Sequence, residues 1–264
     1  MTSTRPLALV TGASSGIGEA LARHLAADGY DLALTARSTD KLFALANELH
    51  AKHGVVVSVF TVDLALAGAA EYLAQALNNA GLQVDVLINN AGLGQIGPLA
   101  TNDPAELRQM VMVNVVALSE LTRLLLPTML ANRRGKILNV ASTAAFQPGP
   151  LMAVYYATKA YVLSLSEALW AELKGSGVSA TVLCPGPVAT PFVTRAKMGN
   201  LRLFHMMQVM TAEQVARIGL DAMNAGKRVA IAGFMNKLSA ALAPLTPRFI
   251  SLPIVKYLQS AKKG

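Results

Sequence analysis

Apolar and polar positions follow two rhythms along this chain. Short, nearly continuous apolar runs rich in β-branched residues predict seven strands, at residues 7–11, 31–36, 55–61, 84–89, 136–141, 178–183 and 229–232. Longer segments between them predict crossover helices, at residues 17–28, 39–53, 65–80, 104–133, 154–175 and 212–225. Strands this apolar are typical of a parallel sheet covered on both faces. The pattern therefore predicts an α/β fold, a doubly wound parallel sheet of about seven strands with helices on both faces.

No linker or internal repeat divides the 264 residues, so we predict a single domain. Residues 192–210 depart from the strand and helix rhythm. Their apolar side chains fit the lining of a substrate lid and ordinary core packing equally well. The side chains concerned are Phe204, Met206, Met207 and Met210.

Residues 234–264 form an apolar and basic C-terminal extension. Within it, Pro247 and Pro253 should break any long helix. A membrane-surface helix is one interpretation of such a composition. Because of the two prolines, we favour the alternative that the extension covers a pocket or a subunit interface.

Composition narrows the class of protein. Apolar residues make up 53% of the chain and charged residues 14%, which excludes a disordered chain. The single cysteine, Cys184, excludes an internal disulfide and cysteine-pair metal clusters, so we predict a packed thiol, no metal site and a cytoplasmic location. We expect no export signal before the first strand. We also expect no membrane-spanning helix, because no uncharged run supplies the roughly 20 apolar helical residues required.

The net charge of +8 could suit nucleic acid, a membrane surface or a polyanionic small molecule. Its distribution argues against the first of these. No run of five basic residues exists, and the cluster at Arg133, Arg134 and Lys136 fits a solvated turn before a strand. We therefore predict no nucleic-acid partner.

A glycine-rich turn follows the first predicted strand and leads directly into a helix. Because glycines lack side chains, the backbone there can approach a phosphate closely. The start of the helix adds free N–H groups and the positive end of the helix dipole. We therefore predict an anion site, suited to the pyrophosphate of a dinucleotide, at Gly12, Ser14, Ser15, Gly16, Ile17 and Gly18.

The ends of the second and third strands bear on which dinucleotide binds. An acidic residue after the second strand would bind the ribose 2′-hydroxyl of NAD, but this chain has Arg37 and Ser38 there. A guanidinium can pair bidentately with a 2′-phosphate, so NADP (NADPH) is favoured and NAD stays possible. A solvated surface arginine is the alternative. Asp63 follows the third strand, where it fits a helix N-cap.

Tyr155 and Lys159 lie four residues apart and therefore share one face of a predicted helix. A nearby ammonium stabilises a phenolate and lowers the phenol pKa from its ordinary value of about 10. Tyr155 could then give a proton to a carbonyl oxygen while a cofactor gives hydride to the carbon. Ser142 ends the fifth strand, at the same carboxyl edge of the sheet, and could hydrogen-bond that oxygen.

The order of these motifs resembles the short-chain dehydrogenase/reductase family, in its standard-length NAD(P)-dependent branch. The resemblance covers about residues 7–191. It implies a Rossmann-like domain, NAD or NADP, and homodimers or homotetramers formed through long helices, here 104–133 and 154–175. Many NADP-preferring relatives carry a basic residue where this chain has Ser15, so discrimination would rest mainly on Arg37. The matching motifs are TGASSGIG at 11–18, NNAG at 89–92, Asn114, Ser142, Tyr155, Lys159 and PGPVAT at 185–190.

The same resemblance implies roles for individual residues. Tyr155 is the acid/base residue, Lys159 tunes it and holds the nicotinamide ribose, and Ser142 binds the carbonyl. Asn114 holds a water on a proton relay behind the lysine. The remaining positions contact the adenine (Asp63), support the sheet (Asn89), face the cofactor (Asn90, Ala91 and Gly92) or line the nicotinamide side (Pro185, Gly186, Val188 and Thr190).

We therefore predict an NADP(H)-dependent oxidoreductase that interconverts a carbonyl and a secondary alcohol on a hydrophobic small molecule. An acyl chain, a steroid-like ring and an aryl ketone all fit as substrate. Two alternatives stay open. One is a dinucleotide-responsive binding protein without turnover, and the other is a membrane-peripheral reductase of lipids or acyl chains.

Overall fold

The seven predicted strands form one parallel sheet. The computed structural model describes residues 5–196, 201–203 and 209–260. Every neighbouring pair in the order β3-β2-β1-β4-β5-β6-β7 is parallel, which confirms the predicted fold. The strand order reverses between β1 and β4, where the carboxyl ends of the strands open a crevice. The strands are β1 (Leu7–Thr11), β2 (Asp31–Ala36), β3 (Val57–Thr61), β4 (Val86–Asn89), β5 (Gly135–Val140), β6 (Val178–Cys184) and β7 (Val229–Ile231).

Helices cover both faces of the sheet. Alternate residues of β1 point to opposite faces: Ala8 and Val10 pack with α1, α2 and α8, whereas Leu7 and Leu9 pack with α3, α5 and α6. Cys184 is a buried free thiol. The helices are α1 (Gly16–Ala27), α2 (Thr39–His53), α3 (Ala69–Asn79), α4 (Pro104–Val111), α5 (Leu118–Ala131), α6 (Ala153–Glu172), α7 (Pro191–Arg195), α8 (Ala212–Asn224), α9 (Phe234–Leu242) and α10 (Arg248–Leu258).

Two predicted helices differ from the structure. The helix expected from residue 65 begins at Ala69, because Gly68 has a left-handed backbone (φ 74°) and residues before it form turns. Asp63 therefore does not cap this helix, and its Oδ1 instead accepts a hydrogen bond from the N–H of Ala65 at 3.0 Å. The helix expected over 104–133 is interrupted by a π-helical segment, Met112–Ala117, which separates α4 from α5.

The continuous helical stretch Pro104–Ala131 is the one span, within the described part of the chain, that is long and apolar enough to cross a membrane. The sequence analysis predicted no helix of this kind, but by length and composition this stretch qualifies as one. However, the stretch packs against α3 and β5, and 39% of its most apolar window is buried. The stretch therefore packs on the domain along one side, while most of that window is not buried.

The C-terminal extension folds back onto the domain as two short helices, α9 and α10. Pro247 precedes α10, as expected of a residue that lacks an N–H. Pro253 does not break the helix and lies inside it, contrary to the sequence prediction. The buried side chains of Ser251 and Val255 on the inner face hold that helix against the domain, while Pro253 itself is exposed.

Candidate active site

The glycine-rich turn is held to the neighbouring strand by a buried threonine. The Oγ1 of Thr11 donates to the carbonyl of Ile88 and accepts from the N–H groups of Asn90 and Ala91, at 2.9 and 3.0 Å. In return, Asn90 Nδ2 donates to the Thr11 carbonyl at 2.9 Å. These bonds lock the turn after β1 to the NNAG segment after β4. The sequence analysis gave Thr11 no role.

The glycines of this turn leave room that other residues would fill. A Cβ on Gly12 would stand 2.9 Å from Ala91 Cα, and the backbone there is left-handed (φ 66°). A Cβ on Gly18 would stand 2.3 Å from both Asn90 Nδ2 and the Gly12 carbonyl oxygen. Gly18 therefore permits close packing behind the turn, whereas Gly12, Ser14, Ser15, Gly16 and Ile17 line the cavity itself.

At the adenine-ribose end, Arg37 and Ser38 line the same cavity. Arg37 is exposed, and no hydrogen bond or ion pair joins it to another described residue. Ser38 precedes α2 without its hydroxyl capping the helix. Both side chains are thus free to meet an anionic group. Asp63 also lines the cavity, and only one of its carboxylate oxygens is engaged, by Ala65.

Tyr155 lies near the start of α6 with its side chain buried in the cavity wall. Burial raises the pKa of Tyr155 to about 12, while the Ser142 hydroxyl acts to lower it. The expectation that Lys159 lowers this pKa is therefore wrong for the chain by itself. The main reason is burial of the phenol, and the Lys159 Nζ, 5.8 Å from the Tyr155 ring centroid, donates to the Val140 carbonyl.

Lys159 is buried, with an exposed fraction of 5%, and also lines the cavity. Its Nζ is 2.9 Å from the carbonyl oxygen of Val140, at the end of β5. Burial lowers the pKa of Lys159 to about 8, since the charged form loses solvation. Its ammonium is therefore poised to lose a proton only slightly above neutral pH.

Ser142 sits where β5 passes into a 3₁₀ turn, Thr143–Phe146. Its Oγ accepts from the N–H of Ala144 at 3.1 Å and donates to the Pro185 carbonyl at 3.4 Å. Ser142 therefore caps this turn, and its predicted role at the site stays a prediction. The bond to Pro185 is long and weak, so this hydroxyl can readily be redirected to another acceptor.

Asn114 lies in the π-helical segment and is fully buried. Its Oδ1 accepts from the Leu93 N–H at 2.8 Å, and its Nδ2 donates to the Leu93 carbonyl and to Thr158 Oγ1. Thr158 in turn donates to the Tyr155 carbonyl at 2.7 Å. Asn114 is not in the cavity wall, and its side chain connects Leu93 to helix α6. The water predicted for it stays a prediction.

The PGPVAT segment closes the cavity beside Ser142. Pro185, Gly186, Val188 and Thr190 all line it, as predicted for the nicotinamide side. A Cβ on Gly186 would stand 2.3 Å from Asn236 Nδ2, so α9 packs directly over this glycine.

The candidate lid is described only in part. Phe204, Met206 and Met207 lie outside the described residues. Met210 pairs with the PGPVAT segment instead, where its N–H donates to the Pro187 carbonyl and its carbonyl accepts from Ala189. The core-packing alternative therefore holds for Met210. Of the remaining stretch, Phe192, Val193, Arg195 and Leu203 line the cavity.

One cavity of about 350 Å³ joins these groups. It runs from the glycine-rich turn past Asn90, Ala91 and Gly92 to Ser142, Tyr155 and Lys159. The predicted residues Gly18 and Asn114 lie behind the wall and position residues in it. The far wall is largely apolar, and the sequence analysis missed most of its members: Met152, Tyr156, Ala240, Ala243, Val255, Leu258 and Gln259.

Tyr156 differs from its neighbour Tyr155 because its hydroxyl already has a partner. Gln259 Nε2, at the end of α10, donates to the Tyr156 oxygen. Burial raises the pKa of Tyr156 to about 12. Tyr156 therefore connects the C-terminal extension to helix α6 by a hydrogen bond. The two residues are 103 positions apart, and no local sequence signal indicated this contact.

Comparisons with known proteins agree with this geometry. A family model described as short chain dehydrogenase matches residues 6–200. A very-long-chain 3-oxoacyl-CoA reductase of Pyrenophora tritici-repentis is 39% identical over 65% of this chain and 51% of that protein. The chain spans about half to three-fifths of the length of the first such relatives.

Solved structures of related enzymes share the fold over nearly the whole chain. A short-chain dehydrogenase from Sphingobium yanoikuyae in complex with NADPH has a TM-score of 0.81 and 31% identity, covering 91% of this chain and 94% of that one. A bulky-bulky ketone specific alcohol dehydrogenase from Comamonas testosteroni has a TM-score of 0.77 and 28% identity, with coverage of 92% and 94%. The chain therefore belongs to the short-chain dehydrogenase/reductase family.

Proposed function

We propose that this chain is an NADP(H)-dependent reductase of hydrophobic ketones that also catalyses the reverse alcohol oxidation. The observation that carries the proposal is one continuous cavity. A glycine-rich turn and a free arginine stand at one end, Ser142 and Tyr155 stand in the middle, and apolar side chains stand at the other end.

The residues that line the cavity fit nicotinamide adenine dinucleotide phosphate (NADP). The turn at Gly12 and Gly16 offers backbone without side chains, and Arg37 with Ser38 offers a guanidinium and a hydroxyl for a 2′-phosphate. NADPH is favoured and NAD stays possible, in line with the NADPH complex of the Sphingobium enzyme. When bound, the cofactor supplies the hydride.

The chain's own residues handle the carbonyl oxygen. Ser142 can exchange its weak bond to Pro185 for a bond to that oxygen and stabilise the charge that develops on it. Tyr155 stays protonated in neutral solution because its pKa is raised, and that is the state a proton donor needs. In the reverse direction, the phenolate formed by donation takes the alcohol proton back.

The substrate end of the cavity favours a bulky apolar ketone. Met152, Tyr156, Phe192, Leu203 and Val255 lie on this side, and burial of such surface contributes about 25 cal/mol per Å². The Pyrenophora relative is named for 3-oxoacyl-CoA reduction and the Comamonas enzyme for bulky ketones. Both names refer to substrates in which a carbonyl lies beside large hydrophobic groups.

Removing the Arg37 side chain should remove the preference for NADPH. Charge-assisted hydrogen bonds contribute about 1.5–3 kcal/mol, so the Kd of NADPH should rise about tenfold to a hundredfold in Arg37→Ala, while the Kd of NADH should stay unchanged. Nicotinamide fluorescence titration measures both constants. Lys52→Ala, which removes an exposed cation from the far end of α2, is the matched control. Equal loss of NADH affinity would count against the assignment.

Turnover separates the reductase from a binding protein. Wild-type enzyme with NADPH is offered a 3-oxoacyl thioester, a steroid ketone and a bulky aryl ketone, and NADPH oxidation is followed by absorbance. Turnover of at least one ketone supports the proposal. Tight NADPH binding without turnover of any would support a dinucleotide-responsive binding protein instead.

The pKa of Lys159 sets the expected pH dependence of reduction. The ammonium is present below pH 8 and is lost above it, since burial lowers the pKa of Lys159 to about 8. The kcat/KM for NADPH should therefore be level on the acid side and fall with loss of one proton as the pH rises through this value. Circular dichroism over the same pH range controls for unfolding. A profile that stays level to pH about 10 would contradict a role for the charged lysine.

A further inference from the structure

The outer surface of the C-terminal extension carries an unusual share of exposed apolar side chains. Of the twenty large hydrophobic residues exposed among those the structure describes, ten lie on α9, α10 and the turn between them. Phe234, Leu245 and Phe249 are 78–79% exposed. We call this surface the tail face, and its members are Phe234, Met235, Leu238, Leu242, Leu245, Phe249, Ile250, Leu252, Ile254 and Tyr257.

The tail helices carry most of their large apolar side chains on the outer face. Their inner face buries Asn236, Ser251 and Gln259 together with Ala240 and Val255. By contrast, α2 buries Leu42, Leu45 and Leu49 and exposes mainly polar residues. Folding of this chain alone therefore does not account for the apolar residues of the tail face.

The charge of this region has a single sign. No acidic residue follows Asp221 in the sequence, whereas seven lysines and arginines do. Three of these, Lys237, Arg248 and Lys256, are exposed on the tail helices beside the apolar side chains. A surface that combines apolar side chains with positive charge complements a layer of apolar chains under negative headgroups.

We propose that the tail face binds the surface of a membrane that contains anionic lipids. Pairing with a second copy of the chain is disfavoured by charge, since a two-fold interface would place two basic surfaces without acids against each other. The two short helices suit binding in the plane of the interface, with Phe249 and Ile254 in the apolar layer. This inference does not depend on the catalytic assignment.

The test is co-sedimentation of the full chain with vesicles. Wild type should bind vesicles of phosphatidylcholine with about one-third phosphatidylglycerol, and should bind pure phosphatidylcholine far more weakly. Binding should be lost in the apolar variant Leu245→Ser, Phe249→Ser, Ile254→Ser. Each basic residue contributes roughly fivefold, so the charge variant Lys237→Gln, Arg248→Gln, Lys256→Gln should bind about a hundredfold more weakly.

Matched controls carry the same chemistry away from the tail face. Phe43→Ser with Tyr72→Ser removes exposed aromatic side chains from α2 and α3, and Lys52→Gln, Arg108→Gln, Arg123→Gln removes three exposed cations. Both controls should bind as wild type does, and thermal unfolding confirms that every variant is folded. None of the substituted tail residues lines the cavity.

Three results would overturn the proposal. The first is wild type that is not retained by anionic vesicles at any lipid concentration tried. The second is controls that lose as much binding as the tail variants do. In the third, the tail variants change the number of subunits in light scattering and leave vesicle binding intact, which would make the tail face an interface between copies.

Discussion

Tyr155→Phe should lower kcat for ketone reduction by about 10²- to 10⁴-fold, the usual contribution of a positioned acid. The substitution removes only the phenol oxygen from a side chain that is otherwise packed against Tyr156 and Phe192. The Kd of NADPH and the melting temperature should therefore change little. Steady-state kinetics, with binding measured by fluorescence, separates loss of the proton donor from loss of the fold.

Tyr156→Phe is the control that the chain itself provides. The two tyrosines are adjacent, both are buried and both have a pKa raised to about 12, but Tyr156 is bonded to Gln259. Removing its hydroxyl leaves the Gln259 amide without that acceptor, which should cost about 1–3 kcal/mol of stability. Its kcat should fall less than about tenfold. A larger effect on kcat at position 156 than at 155 would reverse the assignment of the acid.

Gly18→Ala should impair cofactor binding even though alanine favours helices. Within α1 the substitution would gain about 1 kcal/mol of helix propensity. The new methyl would stand 2.3 Å from the Gly12 carbonyl and from an Asn90 amide that is itself bonded to Thr11. Neither atom can move without moving the turn. The steric cost of about 1–3 kcal/mol therefore offsets or exceeds the gain in helix propensity. The net cost is then up to about 2 kcal/mol, so titration should show the Kd of NADPH raised by up to about thirtyfold.

Gly219→Ala tests whether the effect at Gly18 comes from the turn. Gly219 is also a buried glycine within a helix, α8, and its Cβ would approach the side-chain methyls of Leu183, at 2.7 Å, and Leu138, at 3.4 Å. A leucine methyl can shift, so stability should change by less than about 1 kcal/mol and NADPH affinity should not change. Equal loss of NADPH affinity in the two variants would show that the effect at Gly18 does not come from the glycine-rich turn.

The strands and the motifs at their carboxyl ends could be predicted because both are local. Each local pattern occupies a few consecutive residues and indicates one kind of structure. Examples are the apolar run of β1, the glycines that follow it and the spacing of Tyr155 and Lys159. The parallel order of the sheet then brings them together, which is why predicted residues such as Arg37, Ser142 and Thr190 line one cavity.

The rest depended on contacts that no local pattern encodes. Burial of the Tyr155 phenol raises its pKa, opposite to the lowering expected from Lys159, and burial is set by tertiary packing. Much of the far wall comes from the C-terminal helices, more than 80 positions after Tyr155: Ala240, Ala243, Val255, Leu258 and Gln259. Pro253 is tolerated within α10 because tertiary packing of Val255 outweighs the loss of one backbone hydrogen bond. The predicted homo-oligomer and cytoplasmic location stay predictions.

The packing of Asn236 over Gly186 couples the movement of helix α9 to that of the PGPVAT segment. The Asn236 side chain, which donates to the Ala232 carbonyl at 2.6 Å, occupies the space that a Cβ on Gly186 would need. The PGPVAT segment and helix α9 therefore cannot shift independently. In the proposed mode of binding, a dinucleotide that holds this segment also restrains α9, and restraint of α9 then strengthens dinucleotide binding by the same free energy. Amide hydrogen exchange in α9 should accordingly slow when NADPH is added.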